Sequence, residues 1–100
     1  MQRFLIFLLA PLVFVCGPLF ADFPEKNVTY QITFSPGGGS DVRARHQQPY
    51  LEEELGKKIV IQYKPGAGGS IGWANLVKQK ADGYFMSGIN IPHIILQPLA

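Results

Sequence analysis

The sequence predicts an α/β fold whose centre is a parallel βαβαβ unit, and three observations carry that prediction. Val28-Thr29-Tyr30-Gln31-Ile32-Thr33-Phe34 alternates apolar with polar residues and is β-branched or aromatic nearly throughout, which marks a strand with one strongly apolar face. Lys58-Ile59-Val60-Ile61-Gln62-Tyr63 is a second β-like run, more continuously apolar and suited to a sheet interior. Each run is followed by a glycine-rich loop and then by a helix-like stretch, so strands and helices alternate with short connections, as right-handed crossovers in a parallel sheet require.

Taken in order, the chain opens with residues 1–21, which read as a secretory signal peptide. Arg3 gives a positive start, Phe4 to Val15 are apolar, and Gly17-Pro18-Leu19-Phe20-Ala21 break the run before Asp22. An uncleaved anchor is the alternative, but the apolar run is short against the roughly 20 residues of a membrane span. A lipoprotein cut before Cys16 would need a smaller residue than Val15. Cys16 is the only cysteine and lies within the segment, so residues 22–100 have neither a disulfide nor thiol chemistry.

After the first strand, Ser40 or Asp41 is placed to cap a helix running to Leu55, with Gly56 suited to the left-handed position beyond its end. Pro49 is expected to kink or split this helix, because it removes a donor and crowds the preceding turn. Its apolar stripe is thin, limited to Ala44, Leu51 and Leu55, and Glu52-Glu53-Glu54 reads as a solvated face. After the second strand a helix is expected from about Ser70 to Lys80, with Trp73, Leu76 and Val77 on one side and Trp73 in the core rather than under a ligand. Ala81-Asp82-Gly83 makes a turn, Tyr84 to Ile89 a third strand, and Asn90-Ile91-Pro92-His93 leads toward a third helix. Ile94 to Ala100 is an apolar run that calls for a cover.

Composition excludes more than it assigns. Setting Arg3 aside leaves eight basic residues against seven acidic ones, with no Lys/Arg block of the kind that binds nucleic acid. His46 and His93 are the only histidines and have no neighbouring carboxylate cluster or cysteine, so a zinc site is not expected. The 79 residues after position 21 would bury little more than about 60% of their unfolded surface, which suggests the opening part of a larger architecture.

The chemistry rests in the two loops, Ser35-Pro36-Gly37-Gly38-Gly39-Ser40-Asp41 and Pro65-Gly66-Ala67-Gly68-Gly69-Ser70. A helix begins with backbone N–H groups that lack intrahelical partners and carry the positive end of its dipole. Glycines let an anion approach that bare backbone. In a parallel sheet both loops, and the Gly88-Ile89-Asn90 segment, fall at the carboxyl ends of the strands, where ligands bind. Neither loop is a nucleotide loop: no Gly-Lys-Ser/Thr ending is present, and Val42 and Ile71 stand where a dinucleotide fingerprint needs its third glycine. Asp41 would repel an anion unless it turns back onto the loop or first-turn amides; receiving a ligand ammonium group is the other possibility. Gly68-Gly69-Ser70-Ile71-Gly72 also matches G-x-S-x-G, with Asp82 and His93 following in hydrolase order, which leaves a Ser70 nucleophile as the enzyme reading. Against it, Lys64-Pro65-Gly66-Ala67 separate the serine from the strand.

Four motifs together resemble one family. Phe23-Pro24-Glu25-Lys26 before Val28, Phe34 to Asp41, Pro65 to Gly69, and Ala81-Asp82-Gly83-Tyr84 are similar in order and spacing to the Bug family of extracytoplasmic solute receptors of tripartite tricarboxylate transporters. The likeness covers Phe23 to Ala100. It implies residues 1–21 as signal peptide and residues 22–100 as the first part of lobe 1 of a two-lobed, type II-like periplasmic binding protein, truncated within that lobe. It also implies a monomeric, non-enzymatic periplasmic receptor without cofactor or metal, a small carboxylate as ligand, and membrane permease subunits as partners of the intact form. By position, the ligand contacts it implies are Ser35, Gly38, Gly39, Ser40, Asp41, Gly66, Ala67, Gly68, Gly69, Ser70 and Asn90. His46-Gln47-Gln48 stands where the family's first helix is usually more apolar. A remnant without function is the remaining expectation.

Overall fold

Strand and helix signals resolve into alternating elements in the computed structural model, which describes residues 22–99. Strand β1 is Val28–Ile32, helix α1 Gly39–Leu55, β2 Ile59–Tyr63, α2 Ser70–Leu76, β3 Phe85–Ser87 and α3 His93–Leu96, followed by a 3₁₀ turn at Gln97–Leu99. The signal-peptide reading falls on residues 1–21, outside the described residues.

The three strands form one parallel sheet in the order β2-β1-β3. Val28 is opposite Ile59 and Ile32 opposite Tyr63, while Thr29 pairs with Phe85 and Gln31 with Ser87. This corrects the expectation that the more apolar second run lies inside the sheet. After α2 the chain crosses back over β1, so alternating β1 takes the centre and β2 is an edge among the described residues, with Val60 47% exposed.

Because successive side chains on a strand point to opposite faces, β1 meets a helix on each side. Tyr30 donates from its hydroxyl to Gln47 of α1 on one face, while the Gln31 amide donates to the Gly72 carbonyl of α2 on the other. Val28, Ile32, Ala44, Ile59 and Trp73 form the buried apolar core.

Helix α1 is capped two residues before Ser40 and three before Asp41, the expected cap candidates. Gly38 is the N-cap and no side chain caps it, while Gly56 ends the helix at φ 66° as its sequence position suggests. Pro49 does not split α1, which runs unbroken through it. The flanking residues hold the helix to the sheet on both sides of the proline: Gln48 donates to the Ile59 carbonyl, and Glu52 accepts from the Ile59 N–H. Helix α2 is shorter than expected and leaves Val77 81% exposed instead of facing inward.

Candidate functional site

Parallel strands release their connections at one sheet edge, and here the ends are tied together by backbone bonds. The Lys64 N–H donates to the Ile32 carbonyl at 2.8 Å and the Gly88 N–H to the Gln31 carbonyl at 3.0 Å. The three loops after β1, β2 and β3 therefore start side by side, at the carboxyl edge where α/β sheets hold ligands.

Side chains then lock each pair of loops. Asn90 donates to the Ser40 hydroxyl at 3.0 Å, joining the third loop to the first. The Trp73 indole N–H donates to the Gly88 carbonyl at 3.0 Å, and its ring lies where a Cβ on Gly69 would stand, joining the third loop to the second. The first two meet through Tyr63, whose hydroxyl donates to Asp41 at 2.8 Å. Trp73, 8% exposed, is thus core and prop at once.

Asp41 is fully engaged. One carboxylate oxygen accepts the Gly37 N–H at 2.8 Å, and the other accepts Tyr63 and the Arg45 guanidinium, at 3.0 Å. The Gly37 N–H above all, then the Tyr63 hydroxyl, hold its carboxyl below the usual range; Arg45 adds to this and burial opposes it. The carboxylate therefore shapes the first loop, and its charge is matched by Arg45.

What remains unspent is backbone. Among the described residues the N–H groups of Gly39, Ser40 and Asp41 have no acceptor, the Val42 N–H being the first to close the helix onto the Gly38 carbonyl. In the second loop the Ala67 and Gly68 N–H groups are likewise without acceptors, while Gly69 and Ser70 bond to Gly66 and Ala67. Gly66, Ala67, Gly68 and Gly69 all have positive φ, from 47° to 131°. Ala67 is the one non-glycine residue in that conformation among those described, a left-handed geometry that costs an L-residue about 1 kcal/mol.

The candidate residues divide by exposure. Ser35, Gly38, Gly39, Gly66, Ala67 and Gly68 are exposed, Ser40, Ser70 and Asn90 are half-buried, and Asp41 and Gly69 are buried. The Ser70 hydroxyl donates to the Ala67 carbonyl at 2.9 Å. Sequence reasoning missed Tyr63 and Arg45 as the clamp on Asp41, and missed His93 and Gln97 as neighbours of Gly68.

Among the described residues no hydrogen bond links Ser70, His93 and Asp82. Ser70 has ordinary helical angles (φ −63°, ψ −34°) rather than those of a strained nucleophile turn. Asp82 accepts the Tyr84 N–H, and the His93 ring packs edge-on against Phe34 at 5.5 Å.

The parallel α/β framework is similar to part of known periplasmic solute-binding proteins. The structure superposes on the periplasmic binding protein BugD with a TM-score of 0.63 at 34% identity, covering 65% of this chain and 22% of that one. It superposes on a TctC solute-binding protein from Polaromonas with a TM-score of 0.62 at 31% identity, covering 65% and 23%. By sequence, the chain is a homologue of the Bug proteins: it is 39% identical over 71 residues to BugT of Bordetella pertussis, spanning 70% of this chain and 22% of BugT. The aligned stretch thus amounts to about a fifth of each of these proteins. No family model matches the chain.

Proposed function

We propose that this chain carries the carboxylate-holding turns of a periplasmic solute receptor. The observation that supports it is the convergence of two glycine turns, each with unspent backbone N–H groups, on one sheet edge where three loops are cross-tied. Gly39, Ser40, Ala67 and Gly68 present donors to one carboxylate, and Ser35, Gly38, Gly66 and the Ser40, Ser70 and Asn90 side chains line its surroundings. Asp41 acts on the ligand only through the loop it holds. In this reading the protein is non-enzymatic, is exported by the signal peptide at residues 1–21, and acts as a monomer. The intact receptor closes a second lobe over the ligand and delivers it to membrane permease subunits of a tripartite tricarboxylate-type transporter.

Thermal unfolding tests the binding step. At ten times its dissociation constant, a ligand that binds only the folded chain stabilises it by about 1.4 kcal/mol. Succinate and propionate are expected to raise the melting temperature, and propionamide is expected to leave it unchanged. No shift with any carboxylate contradicts the reading.

A further inference from the structure

Edge strand β2 uses its backbone unevenly. In a parallel ladder successive residues turn their N–H and C=O groups alternately toward one neighbour and the other. The Lys58 carbonyl accepts from the Val28 N–H and the Lys64 N–H donates to the Ile32 carbonyl, so residues 58, 60, 62 and 64 face β1. Ile59, Ile61 and Tyr63 therefore turn theirs away from the sheet. At Ile59 helix α1 stands in for the missing strand: the N–H donates to Glu52 at 3.0 Å, and the carbonyl accepts from the Gln48 amide at 2.9 Å. Among the described residues nothing does this for Ile61 and Tyr63, whose backbone N–H and C=O groups have no partner. Pro65, which has no N–H, closes the row.

The side chains beside this open strip have a definite chemistry. Val60 and Gln62 lie opposite Thr29 and Gln31 and so share the face on which Gln31 meets α2. No helix covers that face at β2, and Val60 is left 47% exposed. Lys64 follows on the same face; it is exposed and has no ion pair among the described residues, whereas Lys58 is matched by Glu52 at 3.3 Å. We propose that the open half of the β2 edge, Ile61 to Tyr63, is a docking site for an extended, acidic segment of another protein. Such a segment adds a strand, bonds to all four free backbone groups, covers Val60 with an apolar side chain and sets a carboxylate against Lys64. A second copy of this chain fits poorly. Antiparallel pairing of two β2 edges about Ile61 sets Lys58 of one copy opposite Lys64 of the other, and like charges directly opposite destabilise a sheet. In antiparallel alignment the fitting segment has an acidic residue first, a polar one two positions later and an apolar one two positions after that. This surface is independent of what the glycine turns hold.

An amide NMR titration of the 100-residue chain with the blocked peptide Ser-Glu-Thr-Thr-Thr-Val-Ser tests the assignment. Saturable shifts at Ile61 and Tyr63 are expected, and the same peptide with lysine in place of glutamate should bind about fivefold more weakly. Lys64→Glu should reverse that order. Ile61→Pro should abolish binding, because an edge proline there removes an outward donor and leaves the bonds to β1 in place. Should that variant fail to fold, the charge reversal at exposed Lys64 carries the test. Equal binding of the two peptides, an order unchanged in Lys64→Glu, or shifts confined to other residues overturns the proposal. Concentration-dependent shifts at Ile61 and Tyr63 in the chain alone would make a second copy the occupant and overturn it as well.

Discussion

The Tyr63 hydroxyl donates to Asp41 at 2.8 Å while accepting from the Arg45 guanidinium at 2.7 Å. One phenol at the end of β2 thereby fixes the start of α1, and with it the turn that follows β1. The carboxylate, the guanidinium and the phenol form a closed set, which explains how an acidic residue sits at the helix start while the Gly39, Ser40 and Asp41 N–H groups stay without acceptors.

Acid should loosen this joint. Asp41 is held below its ordinary value of 3.8 chiefly by the Gly37 N–H and then by Tyr63, and Glu52 below its ordinary value of 4.5 chiefly by the Ile59 N–H. Because both folded values are depressed, their stabilisation is complete above the ordinary values and is lost as pH falls through the lower folded ones. Melting temperature is expected to be flat above about pH 5 and to drop toward about pH 3. Asp41→Asn should lower it at neutral pH and flatten the acid limb. An acid limb identical to the parent's would remove Asp41 from the account.

Gly72→Ala tests how tightly α2 seats on β1. In an open helix alanine is about 1 kcal/mol better than glycine. Here its Cβ would stand 2.5 Å from the Thr33 side chain and 2.9 Å from the Lys64 carbonyl oxygen. The expected sign is therefore reversed, with a loss of about 1–3 kcal/mol in urea unfolding.

Gln31 of β1 and Thr33, just beyond the strand's end, are both buried and should respond differently. Gln31 is wholly buried and donates to Gly72 and Ser87 while accepting from Asn75 at 2.7 Å. Gln31→Leu strands those partners and should cost about 2–3 kcal/mol. The Thr33 hydroxyl is buried with no partner among the described residues, so Thr33→Val should leave stability unchanged or raise it by about 1 kcal/mol. Equilibrium denaturation of the two variants side by side reads the contrast.

These residues also show where sequence reading stops. Alternation located β1, and the glycine runs located the turns after β1 and β2, because both are local signals. Gln31 and Thr33 read as a polar face, yet α2 covers them at 0% and 1% exposure. Alternation says which side chains share a face and not whether a helix will cover it. Sheet order is equally nonlocal, and the return of the chain over β1 made β2 an edge despite its apolar run. Pro49 has a real local penalty, which the contacts of Gln48 and Glu52 with the β2 backbone override. The reading that Asp41 turns back onto the loop agrees with its bond to Gly37, whereas its link to Tyr63 joins positions 22 residues apart and has no local signature.

A backbone-amide NMR titration of the chain with succinate decides whether the two glycine turns hold one carboxylate. Saturable shifts are expected at Gly39, Ser40, Ala67 and Gly68, and propionamide should not reproduce them. Shifts confined to residues away from both glycine turns, or none at saturating concentration, would contradict it.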